Sequence, residues 1–370
     1  MAPFYSQTAR CWMQVLMLAL LATAPATSSL AQSPPVSKGE PVKVDGPFAV
    51  AETKKHTPRG ISGIACLAPV GDARSCLAVN DEERFAEWAV LKGNVLSPTG
   101  KRVQLLTQSE APADPILGRM PQKACLKTDD FGEFDGEAIA IVGTQLYVAG
   151  SHACSREKHK FKPSAFVLAR ARATGEAIAV HKVMRTWRVS DAIGNSPLKD
   201  AFGVPGPTGA GIEGMAAIGN RLYLGFRTPS AQGKATILGL DAESLFVPGN
   251  EPSTAKPETL PLDLGADVGI RDLAALDDDR MLVLSGPADA GDAAYVLHVL
   301  TVSTRKLQPL AELRTDRKGK QKGKDGGPET AKAEGIAVIA RDDATVTILV
   351  VYDNIDDGGP RLHRIRLPGN

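Results

Sequence analysis

The sequence lacks most of the features that would declare its partners. Its 43 Lys and Arg stand against 42 Asp and Glu, so no net charge points to a general nucleic-acid or anionic-membrane binder. No segment after the first thirty residues approaches the roughly 20 apolar residues of a membrane span. Only five cysteines occur, with no C-x-x-C and no Cys/His ligand spacing, which argues against structural zinc. Helical periodicity is almost absent; residues 197–202 allow one turn at most. Two apparent nucleotide motifs also fail. Gly209 to Gly214 spells G-x-G-x-x-G, but a hairpin follows where a dinucleotide fold requires a helix, and the loop 203–209 has no Gly-Lys-Ser/Thr. Neither Ser151 nor Ser285 sits in G-x-S-x-G.

The N-terminus does carry a signal. Arg10 gives a positive n-region, residues 12–21 an apolar run, and Ser29-Leu-Ala31 a small-residue cleavage site before Gln32. Residues 1–31 therefore read as a cleaved secretory signal of a periplasmic or secreted protein; an uncleaved anchor is the alternative. Arg10 and Cys11 leave with it, so the basic and acidic residues balance and four cysteines remain. In an exported chain these suggest two disulfides, for which three pairings exist. Cys66 and Cys76 sit on the two strands of one expected hairpin and are the natural local bridge, which leaves Cys125 with Cys154. Residues 32–46 are Pro-rich and polar, and read as a flexible leader.

What the rest contains is a repeat. Residues 211–229 read as a short strand opened by an acid, a tight turn at Gly219-Asn220 and a second strand ending on Arg227. Near-copies begin near residues 136, 271 and 333, and a degenerate one near 61 has Gly63 where the acid is expected. Second strands follow at 75–80, 145–150, 221–226, 280–285 and 345–352. Third and fourth strands lie behind most hairpins, at 165–171 and 177–189, 235–240 and 258–264, and 293–301 and 306–313. Four strands per unit at this spacing is the pattern of propeller blades. The expected fold is all-β: a propeller of five four-stranded blades over residues 47–370, six being possible. The last unit has room for three strands, ending at 361–367, and a strand at 48–53 could supply its fourth and close the ring. A β-sandwich with similar hairpins is the alternative.

In an antiparallel hairpin the start of the first strand and the end of the second share an edge. That rule gathers Glu137, Glu213, Asp272 and Glu334 at one face of the ring, with Asp81, Glu82, Ser151, His152, Arg227, Ser285 and Asp353. Converging carboxylates repel unless a cation or Arg compensates them. Oxygen ligands at a channel mouth would suit Ca²⁺ or Mg²⁺, whereas Arg227, with Arg271, could pair with the acids and leave an anion site. The bland reading is that each acid only accepts backbone N–H groups of the neighbouring blade. The basic run 314–332 leads into the strand of Glu334 and would hang over this face, where it could gather a small anionic ligand.

The recurrent E-G-[IM]-A strand, the segment Leu-Tyr-Leu-Gly-Phe-Arg-Thr-Pro229 and the segment from Gly-Ile-Arg-Asp-Leu273 to Leu-Ser-Gly-Pro287 together resemble a bacterial group, domain of unknown function 3616, through most of residues 60–357. The strand grammar also looks like that of phytase-like esterase propellers and, more distantly, calcium-dependent lactonase propellers. The first resemblance implies no activity. The others imply a metal-assisted phosphoester or ester hydrolase, with Glu137, Glu213, Asp272 and Glu334 as ligands. His152 or a carboxylate would then be the base, with Arg227 steadying the anion. The competing expectation is a non-catalytic scaffold that grips a protein or glycan, its repeat acids architectural.

Overall fold

The computed structural model describes residues 33–369 except 51–57, 107–114, 122–124, 126, 129–130, 156–158, 175–178, 181, 205, 207, 232–233, 290–292, 315–317 and 323–327. The expected signal segment therefore lies outside the described residues. Residues 34–370 form one unit, and it is a five-bladed β-propeller.

The five inner strands are Ile61–Cys66, Gly136–Val142, Gly211–Ile218, Val268–Ala275 and Lys332–Arg341. Each packs on the next, and the last packs on the first, so the ring is closed. Each blade continues outward through antiparallel pairing, as in blade 3, where Gly211–Ile218, Arg221–Ala231, Lys234–Asp241 and Glu258–Asp263 lie in sequence order. The tight turn at Gly219-Asn220 joins the first two of these, and Gly219 holds a φ of 56°, which only glycine adopts freely.

Every inner strand uses the same three-residue device. Pairing with the second strand skips one inner-strand residue in each blade: Ser62, Glu137, Glu213, Arg271 and Glu334. These are β-bulges, which bend a strand and re-aim the extra side chain. The next position is small in four blades (Gly63, Ala138, Gly214, Gly335), because neighbouring inner strands approach closely there. A Cβ on Gly214 would lie 2.6 Å from the Asp272 Cα, and one on Gly335 would lie 3.1 Å from the Gly63 Cα. The third position is Ile64, Ile139, Met215, Leu273 or Ile336, each at most 2% exposed. Burying each such side chain contributes roughly 1.5–3 kcal/mol.

Three expectations need correction. The stretch read as a flexible leader is a belt: Val36–Ser37 pairs with the outer strand of blade 4, Glu40–Pro41 with that of blade 5, and Lys43–Val44 with that of blade 1. Val42 is buried beneath it, the Arg361 guanidinium donates to the Lys38 and Gly39 carbonyls at 2.7 and 2.8 Å, and Ser37 Oγ lies 2.9 Å from Nδ1 of the buried His363. An N-terminal strand does join the C-terminal blade, but it is Glu40–Pro41. Residues 48–50 form no strand, and 51–53 lie outside the described residues. Finally, the strand expected at 177–189 is divided into Ala179–Val180 and Met184–Thr186, followed by a helix, Arg188–Gly194. The buried Arg188 guanidinium holds that helix to the carbonyls of Leu245, Val247, Gly249 and Glu251.

Candidate functional site at the mouth of the ring

The bulges place three of the four repeat acids in the lining of one cavity of about 750 Å³ at the mouth of the ring, formed by Glu137, Glu213 and Glu334. They are 8, 3 and 6% exposed. The strand ends add Asp81, Ser151, Arg227 and Asp353 to the same lining. At the other end of the inner strands lies a separate cavity of about 100 Å³, lined by alkyl groups such as Ile141, Ala217, Ala274 and Val338.

Asp272 does not join the acids. The residue at its blade's bulge is Arg271, and Asp272 occupies the small position, turned toward the neighbouring blades. Its carboxyl accepts the backbone N–H of Leu273 and of Ile336, both at 2.7 Å, and that of Met215. Burial pushes its pKa well above the usual carboxylate range against these hydrogen bonds. For this one acid the architectural reading is the right one: it ties blades 3, 4 and 5. The first blade shows the same slip, since its bulge residue is Ser62, bonded to the Gly60 carbonyl at 3.2 Å, and not Gly63.

Arg271 is the counter-charge of the arc. Its guanidinium pairs with Glu334 on one side and lies 3.5 Å from Glu213 on the other. Arg227, itself an extra residue in the second strand of blade 3, reaches Glu213 at 2.6 Å. A buried carboxylate without such partners would be strongly penalised, and the two arginines are the partners these glutamates have. The alternative read from the sequence, arginines pairing with the acids, is the arrangement found. A divalent metal does not fit this set: Arg271 stands between two of the expected ligands and Asp272 is turned onto backbone. Among the described residues no group of three or more His, Cys, Asp or Glu is arranged to hold a metal ion.

Other expected residues lie elsewhere. His152 is fully buried and does not line the cavity; its Nδ1 is 3.0 Å from the Gly150 carbonyl and its ring packs on Phe166. Burial lowers its pKa to about 4, so it is neutral but out of reach of a ligand. Ser285 faces into blade 4, 3.2 Å from the Val296 carbonyl and 3.0 Å from His298 Nε2. Glu82 is exposed and outside the lining. Ser151 does line the cavity, its hydroxyl bound to Asp135. The basic run contributes Lys332, which is 3.4 Å from Asp353. Its strands Lys318–Lys322 and Pro328–Thr330 form a hairpin, while 315–317 and 323–327 lie outside the described residues.

Sequence reasoning missed one whole wall. Lys160–Phe161 pairs in parallel with Lys127–Thr128, and the Cys125–Cys154 disulfide ties the two segments just upstream of each. Phe161 is buried in the core of blade 2, while Lys160 and Lys162 line the cavity beside His159. Side chains alternate along an extended chain, so the triplet Lys-Phe-Lys was the available signal. Lys162 reaches Glu133 at 3.0 Å. The other disulfide, Cys66–Cys76, joins directly opposed residues of blade 1. Both pairings are those expected.

Residues 194–362 match the family model described as "Protein of unknown function (DUF3616)". This part of the chain is similar to the DUF3616 family. The match spans blades 3 to 5, including Glu213, Arg271 and Glu334, and is shorter than the resemblance read from the sequence. No curated protein matches the chain. Among solved structures it is similar to the α-L-arabinofuranosidase PaAbf62A from Podospora anserina, at 10% identity and a TM-score of 0.43, covering 90% of this chain and 98% of that one. It is also similar to the catalytic domain of a GH62 α-L-arabinofuranosidase from Coprinopsis cinerea (10%, 0.41, 89% and 97%). A GH43 β-1,3-galactosidase gives 9% and 0.41, over 90% of this chain and 60% of that one. Likeness at this level says nothing about what this chain does.

Proposed function

We propose that the chain is a propeller whose mouth binds a small, positively charged organic ligand, without a metal. One observation carries this reading. The lining holds eight carboxylate side chains (Asp81, Glu133, Asp135, Glu137, Glu213, Asp289, Glu334 and Asp353) but only three from Lys and Arg (Lys160, Lys162 and Arg227). Arg271 and Lys332, which reach Glu213, Glu334 and Asp353, still leave the acids in excess. A concave, single-sign surface with low-dielectric walls concentrates the opposite charge. An ammonium entering it would gain charge-assisted hydrogen bonds from groups already held in place.

The metal-assisted phosphoester or ester hydrolase is not adopted, because the arginines occupy the place the metal would need. The acidic excess likewise weighs against a purely anionic ligand. The two disulfides support an exported protein, as the N-terminal signal suggests.

The test is thermal unfolding of the protein with putrescine, with Ca²⁺ and with EDTA. Stabilisation by the diamine that rises with its concentration, with no response to Ca²⁺ or EDTA, is the expected result. Stabilisation by Ca²⁺ alone, abolished in Glu213→Gln, would return the metal-assisted reading.

A further inference from the structure

The cavity is not uniformly acidic. Its basic side chains are unevenly placed: Lys160 and Lys162 come from one short segment of blade 2, beside His159, on the wall braced by Cys125–Cys154, while Arg227 comes from blade 3. The bulge glutamates come from the inner strands. Phe161, 2% exposed in the core, fixes the segment so that the two lysines flanking it both reach the cavity. Ser155 holds the segment's start, its Oγ accepting the Lys160 backbone N–H at 2.9 Å and its carbonyl that of His159 at 2.9 Å. The wall is thus a built feature of the site, anchored by a disulfide, a buried aromatic and backbone hydrogen bonds.

We infer that the ligand is a zwitterion, a small molecule bearing an ammonium group and a carboxylate. The ammonium faces the glutamates of the inner strands, and the carboxylate faces Lys160 and Lys162. Lys162 is shared with Glu133 in a partly exposed pair, and such pairs are held by little energy. A ligand carboxylate can therefore recruit this lysine at small cost. A purely cationic ligand would leave the lysines repelling its second charge. A purely anionic one would meet the glutamates.

This inference rests on the reading of the mouth as a cation-binding site, and matched ligand pairs separate the two. Titration calorimetry would compare ornithine with putrescine and lysine with cadaverine, each pair differing by the carboxylate. The amino acids should bind at least tenfold tighter than their diamines. Lys160→Gln with Lys162→Gln should remove that advantage while leaving diamine affinity unchanged or improved. Equal binding within each pair, or tighter binding of the diamine, overturns the zwitterion and keeps the cation site. Absence of binding by all four compounds overturns both. Unchanged melting of the double variant, both lysines being at the cavity surface, shows that a lost preference is not lost folding.

Discussion

The two sides of the mouth differ in how they handle charge. On the side of blades 3 to 5, Arg271 and Arg227 neutralise Glu213 and Glu334 within the wall itself. On the blade 2 side, lysines on a disulfide-braced segment stand beside Glu133, Asp135 and Glu137 at the opening. The first arrangement is buried and interlocked, and removing one member strands another. The second is more open, and its members can exchange partners with a ligand. Stability and ligand preference are thereby assigned to different arcs of one ring.

The largest expected effect breaks the buried arc. Arg271→Met leaves Glu213 and Glu334 without their shared counter-ion and should destabilise the fold by about 3–5 kcal/mol, read by urea unfolding. Adding Glu334→Gln should recover part of the loss, and a strictly additive double variant would contradict the pairing. Next comes packing behind the same arc. Gly214→Ala drives a Cβ to 2.6 Å from the Asp272 Cα and should cost about 1–3 kcal/mol, whereas the same change at Gly143, with open space around it but φ at 57°, should cost less.

On the blade 2 side, Cys125→Ser with Cys154→Ser opens a link spanning 29 residues. The loss should be about 2–4 kcal/mol, together with the ornithine-over-putrescine preference. A smaller effect is set by pH. His152 and His363 are buried in blades 2 and 5 and His298 is partly buried in blade 4, and loss of solvent lowers each pKa from 6.5 to about 4. The unfolded chain binds protons on these groups at higher pH than the folded one. Their contribution is therefore complete above pH 6.5 and is lost as pH falls toward 4. Unfolding free energy should decline across that window, and His298→Gln should flatten the slope. A slope left unchanged would show that this histidine is not the source.

Much of this was legible beforehand. The recurrent acid-small-apolar strand marked five blades, and the hairpin rule brought Glu137, Glu213 and Glu334 to one cavity. What the pattern hid was a register one residue wide. Aligning Gly211-Ile-Glu-Gly with Gly269-Ile-Arg-Asp puts Arg271, not Asp272, beside Glu213, and a shift of one residue sends a side chain to a different surface. The preference for an acid over an arginine at that step obscured the ion pairs that define the arc. The belt at 36–44 escaped because two-residue pairings such as Glu40–Pro41 need no hydrophobic alternation. The helix Arg188–Gly194 escaped because its apolar residues, Val189, Ala192 and Ile193, also suited the end of a strand.

The most direct measurement is a crystal structure of the protein soaked with ornithine. The expected density lies at the ring mouth, with the ammonium groups within hydrogen-bonding distance of Glu137 or its neighbouring glutamates and the carboxylate on Lys160 or Lys162. Arg271 should remain between Glu213 and Glu334. Ornithine bound only on the outer surface, or a metal ion displacing Arg271 from the two glutamates, would contradict the account.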